Sequence, residues 1–306
     1  MNNRILTPEE QKRLQEVQLI ALLEIDRICK KHNIRYFLAF GTLLGAVRHK
    51  GFIPWDDDVD ITIPRDDLYR FISVCSSELN PEFFLQTSET DPNYYLPITR
   101  IRVNDTTCVE TMFSGVDMHN GIFVDIYPCD NIPDKKWQQI IYRYLAKYLI
   151  TAVAVLARPD IKQQSIPKII GAVTLPLPLR CIPKSTRIKL RDNYLAKYNS
   201  KQTRDVVVQD GMGLVDKYIY PHAFIDNVEF KDFEGFSLPC SPLSHNMLSQ
   251  MYGDYMKLPP IEKRCQHHGF LELDFGRYCS EEVVNTMLNR YRGDRERLRQ
   301  SKNNFI

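Results

Sequence analysis

The chain has 306 residues, 43% of them hydrophobic and 25% charged, with a formal net charge of +2 at pH 7. That length suffices for one large domain or two small ones around a true core, and the near-balanced charge excludes a generally basic nucleic-acid binder. Cysteines at 29, 75, 108, 129, 181, 240, 265 and 279 form no CxxC pair, and the first ten residues lack the apolar stretch of a signal peptide, so reduced thiols and a cytoplasmic location are expected.

In chain order, Thr7-Pro8-Glu9-Glu10 combines an N-cap residue, a proline at the first helical position and a glutamate at the third, which is a capping box. It predicts a long helix with Leu14, Val17, Ala21, Ile25 and Ile28 buried, flanked by Leu22 and Cys29, and ending at Lys30-Lys31-His32-Asn33. Residues 34–40 read as a strand running into Gly41-Thr42, after which Leu43, Leu44 and Val47 take helical spacing. A helix N-terminus offers free N–H groups and glycine admits close approach, so Gly41 and Thr42, with Arg48 at the far end of the turn, are expected to contact phosphate.

Gly51-Phe-Ile-Pro-Trp-Asp-Asp-Asp-Val-Asp60 leads into the next strand. Val59, Ile61 and Ile63 alternate with Asp58, Asp60 and Thr62, so both carboxylates point the same way. Two adjacent acids in a poorly solvated place repel unless a cation lies between them, and Mg²⁺, which favours oxygen ligands, is the natural one; Mn²⁺ is its substitute. Asp56 and Asp57 read either as turn and cap residues or, for Asp57, as part of the substrate site. Pro64-Arg65-Asp66-Asp67 then opens a helix with Leu68, Phe71, Ile72 and Cys75 inward, closed by Asn80-Pro81.

Residues 95–109 read as extended, with Arg100 and Arg102 on one face. They are either exposed charges on an edge strand or, for Arg100, a grip on diphosphate oxygens. In Gly121-Ile-Phe-Val-Asp-Ile-Tyr-Pro128, Ile122, Val124 and Ile126 oppose Phe123, Asp125 and Tyr127, which makes Asp125 a third acid for the metal set Asp58, Asp60 and Asp125.

Gly41-Thr-Leu-Leu-Gly-Ala-Val-Arg48, the tryptophan and triple-aspartate block, Gly121 to Pro128 and Tyr252-Gly-Asp-Tyr-Met-Lys-Leu-Pro-Pro260 resemble the signature blocks of the LicD family. These are phosphocholine transferases of bacterial surface glycans, related to the fukutin-related ribitol-phosphate transferases. The resemblance implies an α+β fold, a nucleotidyltransferase-type mixed sheet flanked by helices and carrying a basic, apolar helical insertion. It implies a CDP-alcohol donor, most of all CDP-choline, and a glycan acceptor, with ethanolamine, ribitol or glycerol as other cargoes. One catalytic unit, 1–306, is expected, with a core over 1–130, the insertion over 134–200 and a part over 201–306 that completes the active site. For choline, Trp55, Tyr127 and others among Tyr94, Tyr95 and Tyr252 would supply a cation–π cage. The same three acids would also serve an enzyme moving NMP from an NTP to a small hydroxyl, so that alternative stays open.

From 135 to 191 there are twelve Lys or Arg residues and a single acid, Asp160. Apolar runs at 149–157 and 169–179 lie between them, each shorter than the about 20 residues that cross a bilayer. Such interleaving predicts contact with an anionic membrane surface, at the inner face where a lipid-linked acceptor would be, or else a packed insertion with solvated cations. Further on, Lys263, Arg264, His267 and His268 cluster after the double proline, in a family block. They are expected at the phosphate or acceptor, with His268 or His267 carrying a proton. The basic tail from Glu281 reads as a peripheral helix.

Overall fold

In the computed structural model the described residues are 4–157, 179–210 and 216–303, excluding the side chains of 294–303. The apolar run at 169–178 and the charges Arg158, Asp160, Lys162 and Lys168 lie outside them.

Helix α1, Pro8–Lys31, begins as its capping box dictates: Glu10 N–H donates to the Thr7 hydroxyl (3.2 Å) and Thr7 N–H to the Glu10 carboxylate (3.0 Å). It ends where Asn33 takes φ 51°, a left-handed conformation that asparagine tolerates. The helix is buried more completely than one apolar stripe predicts, because Gln18, Glu24 and Asp26 on its inner side each bond to other parts of the chain. Gln18 donates to the Asp57 carbonyl (2.9 Å), Tyr36 donates to Asp26 (2.8 Å), and Glu24 accepts from Arg27 (2.8 Å) and from the Tyr291 hydroxyl (3.0 Å). That last bond comes from helix α7, Glu281–Asn303, whose Val284, Met287, Leu288 and Tyr291 are buried. The tail is therefore part of the core, not peripheral, and its apolar spacing outweighs its basic composition.

The chain continues through β1 (Phe37–Leu38), α2 (Phe40–Arg48), β2 (Asp60–Pro64), α3 (Arg65–Glu78), β3 (Phe83–Gln86), β4 (Thr99–Val103), β5 (Thr107–Glu110) and β6 (Phe123–Asn131). The insertion holds α4 (Lys136–Ala157) and α5 (Lys184–Leu195), and β7 (Asp205–Val208) and β8 (Ile219–Pro221) follow. A hairpin of β9 (Glu229–Phe233) and β10 (Phe236–Cys240), helix α6 (Ser244–Tyr252) and β11 (Phe270–Asp274), which pairs with β5, lead to α7.

Among the described residues one sheet runs β1-β2-β6-β4-β3, with β7 pairing to β6 and β8 to β7. Only β2 and β6 are parallel, so the sheet is mixed and the class α+β. β6 is its centre: β2 lies along one edge, while β4 and then β7 share the other. The register sets Asp60 opposite Asp125, Asp125 opposite Arg100, and Arg100 opposite Gln86. Residues directly opposite across a sheet point to the same face, so this row runs from β2 to β3. Beneath it Val59, Ile61, Ile63, Val124, Ile126 and Ile101 are fully buried.

One buried ion pair ties α3 to β6, and Asn199, beyond α5, reaches the same carboxylate. Arg65, at the start of α3, donates twice to Asp130 (2.8 and 2.6 Å), and Asn199 (2.6 Å) and Gln209 (2.9 Å) donate to the same carboxylate. Both ions are buried. Removing one member of such a pair leaves the other uncompensated, at a cost of about 3 to 5 kcal/mol. Asp130→Ala is expected to lower unfolding free energy in urea by about that much, and a change under about 1 kcal/mol would show that the four bonds do not hold α3 to β6.

Candidate active site

The acidic block is placed by what surrounds it. At the start of α2, Phe40 has φ 43°, a strained value for a residue with a side chain. It lets the chain turn from β1 into the helix with Gly41 in the first turn. A Cβ on Gly41 would lie 2.5 Å from Asp56 Oδ2, so the space glycine opens is filled by a carboxylate of the protein, set at a helix N-terminus where negative charge is favoured. Thr42 is turned inward too: its hydroxyl accepts the Asp60 N–H (2.8 Å) and is buried. The expected phosphate contacts of Gly41 and Thr42 are thus replaced by a seat for Asp56 and a tie to β2.

Asp58, Asp60 and Asp125 are brought to one face, Asp60 and Asp125 by register and Asp58 by alternation along the chain entering β2. Asp60 Oδ1 is buried and has no hydrogen-bond partner among the described residues. Burial, then the charges of Asp58, Asp125 and Asp56, push the Asp60 carboxyl well above the ordinary range. Asp58, whose side chain keeps 13% of its surface, is pushed up to about 6 by burial with Asp57 and Asp125, against the pull of His268. Asp56 is raised by burial and by Asp58 and Asp57. Like charges drawn together around an oxygen without a donor fit a hard divalent ion.

Asp125 is held differently. Arg100 Nε donates to its Oδ1 (2.5 Å) and another guanidinium nitrogen to Oδ2 (3.2 Å), while the Tyr127 hydroxyl donates to Oδ2 (3.4 Å). The far side of the same guanidinium pairs with Glu110. Arg100 is therefore not a diphosphate grip: its charge is spent between two buried carboxylates. Nor is Arg102 exposed on an edge, since β4 lies between β3 and β6. It donates to Gln86 (2.7 Å) and to the Gly121 carbonyl (2.7 Å). Both guanidiniums stack on Phe123, at 3.9 and 4.8 Å from the ring centroid.

The loop before β11 reaches this centre through Asp57. Its carboxylate accepts the N–H groups of His267 (3.2 Å) and His268 (2.9 Å) and faces the His268 ring (3.4 Å). Burial would raise Asp57, but His268 and these backbone donors hold it below the usual range. In turn His268, opposed by burial, is raised to about 10 by Asp57, Asp58 and Glu110. Asp57 thus tethers the loop, and its carboxylate with those of Asp58 and Glu110 favours the protonated form of the His268 ring. His267 is largely exposed, 3.7 Å from Asp56. Two groups bring ligand atoms within 4.8 Å of one another, Asp56 with Asp57 and His267, and Asp57 with Asp58 and His268; Asp60 and Asp125 belong to neither.

On the rim, Arg48 donates to the Tyr255 carbonyl (2.7 Å) and has its pKa lowered by burial and by the nearby Arg264. Arg264 lies 5.3 Å from the Trp55 ring centroid. Neither arginine, nor the exposed Lys263, has a carboxylate within 4.0 Å among the described residues. Arg264 lies over the part-buried Trp55 ring, and Tyr94 and Tyr95 are buried. Two aromatics that the sequence did not single out stand there instead. Phe40 packs edge-on to Tyr127 (4.9 Å) and Tyr218 (5.1 Å), and Tyr252 is raised by burial with Asp60, Asp56, Tyr218 and Asp58. Glu110, likewise missed, carried only an alternating pattern as its signal.

A row of carboxylates on a mixed sheet, met by a C-terminal loop and flanked by arginines without a carboxylate partner among the described residues, defines a buried acidic centre. The family model described as "LicD/FKTN/FKRP, nucleotidyltransferase domain" matches residues 33–150. The chain is 31% identical over 267 residues to the lipopolysaccharide cholinephosphotransferase LicD of Haemophilus influenzae, covering 83% of this chain and 96% of that protein. It is also 47% identical over 62 residues to an uncharacterised protein of Rickettsia typhi (20% of this chain, 19% of that one), and 29% over 131 residues to one of Rickettsia prowazekii (42% and 45%). The chain belongs to the LicD family.

Gly41→Ala tests the packing of the acidic block. A methyl that displaces Asp56 by about 1 Å is expected to reduce kcat by about 10-fold to 100-fold with the circular dichroism spectrum kept. An unchanged kcat would remove Asp56 from the site.

Proposed function

We propose that this LicD-type transferase moves a phosphoalcohol, phosphocholine above all, from a CDP-alcohol to a sugar hydroxyl of a cell-surface glycan. The observation that carries the reading is the orphaned Asp60 oxygen among Asp58, Asp56 and Asp125. The name of the Haemophilus influenzae relative supports phosphocholine as cargo and a glycan as acceptor. Asp58, Asp60 and Asp125 would hold Mg²⁺ or Mn²⁺. When bound, the ion neutralises charge on the diphosphate and on the departing nucleoside phosphate.

The chain's own residues do the rest. Arg100 and Tyr127 fix the Asp125 carboxylate so that its remaining lone pairs point one way. Arg48, Arg264 and Lys263 form the positive rim that receives donor phosphate oxygens. The rings of Phe40, Tyr127, Tyr218 and Tyr252 border the carboxylates, and their π-faces suit a trimethylammonium group. Asp58, at 13% exposure, is open to an acceptor hydroxyl, while Asp125 is committed to Arg100. We place the enzyme in the cytoplasm with an acceptor that is lipid-linked.

The test is mass spectrometry of products made with Mg²⁺, an acceptor glycan extract and CDP-choline, CDP-ethanolamine, CDP-ribitol, CDP-glycerol or ATP in turn. CMP with a phosphocholine-modified glycan is expected, and a nucleotide adduct from ATP would overturn the reading in favour of NMP transfer. Asp60→Asn is expected to abolish turnover yet raise the thermal midpoint of the metal-free protein, because it removes a charge from a crowded, buried place. Mg²⁺ should raise the midpoint of the wild type and leave the variant unmoved. A variant with wild-type turnover would contradict the assigned role.

A further inference from the structure

Helix α4 has two unlike sides. One is anchored: Tyr142, Ala146 and Ile150 pack with Leu195 and Val207, and Val153 with Tyr95 and Ile188. The Tyr142 hydroxyl also donates to the Leu195 carbonyl (2.5 Å). The other side presents Trp137 (59% exposed), Ile140 (52%), Ile141 (50%), Tyr144 (74%) and Leu145 (46%). These follow i, i+3, i+4, i+7 and i+8, which is one face of a helix. Leu190 on the adjacent α5 is exposed as well.

Within this 22-residue helix an 18-residue window has a mean hydropathy of 1.5, enough by length and composition alone to cross a membrane. The run at 149–157 is the C-terminal part of α4, which extends it toward the N-terminus. Its anchored stripe nonetheless keeps one side on the protein, so only the other side is free to meet lipid. Around that side cations predominate, because the nearby acids are taken up by arginines: Asp216 by Arg143, Asp134 by Arg204 and Asp192 by Arg191. Lys135, Lys136, Lys147 and Lys189 are exposed, and among the described residues none has a carboxylate within 4.0 Å.

We infer that this face docks flat on an anionic bilayer. Ile140, Ile141 and Leu145 enter the acyl boundary, Trp137 and Tyr144 lie at headgroup level, and the lysines meet lipid phosphates. Lipid is the occupant favoured over a second copy of the chain, because two copies would bring these like charges together, whereas anionic headgroups neutralise them.

The chain has two tryptophans, so full-length Trp55→Phe protein reports on Trp137 alone. Titration with vesicles containing phosphatidylglycerol is expected to shift its emission to the blue and to permit quenching by brominated acyl chains. Affinity should be at least tenfold weaker for vesicles of phosphatidylcholine alone. Ile140→Asp with Leu145→Asp should weaken vesicle binding at least tenfold while the unfolding curve is kept. Emission that vesicles do not move would overturn the inference. So would a blue shift that grows with protein concentration without lipid, the mark of a second copy, or one already present in dilute protein, the mark of cover by the chain itself.

Discussion

The centre depends on one buried pair, Asp125 with Arg100 directly across the β4–β6 pair. The guanidinium is itself neutralised by Glu110 on β5, and β5 is paired in turn to β11. One buried arginine thus joins the central strand to the C-terminal segment. Its two carboxylates share its charge, and the stacking on Phe123 fixes its plane. Asp60, one strand away, has no such partner among the described residues, and on that inequality between neighbouring acids we base the proposed divalent ion.

Several features were legible because they depend on local chemistry. The capping box of α1, the alternation through Asp60 and through Asp125, and the glycine turn all follow from spacing along the chain. Register is another matter. That Arg100 faces Asp125 depends on how β4 slides along β6, which no period in either strand discloses. The two readings open for Arg100, exposed charge or phosphate ligand, both missed the buried pair for that reason.

The loop at 263–268 shows the same division. Its basic composition pointed to the site, and its backbone does arrive there, but through Asp57, whose two bonds to His267 and His268 N–H groups act across more than two hundred residues. A motif marks which residues gather, not which atoms they offer. The aromatic border was missed for a related reason: Phe40 read as the end of a strand, whereas its positive φ makes it the first residue of α2, facing Tyr127 and Tyr218.

The proposed cation has two places to settle, because Asp57, Asp58 and His268 offer a neighbouring corner with nitrogen as well as oxygen. Anomalous scattering from crystals grown with Mn²⁺ would locate it directly. A peak bounded by Asp60 and Asp125 is predicted. A peak on His268 and Asp57, or none at all in an otherwise unaltered site, would contradict it.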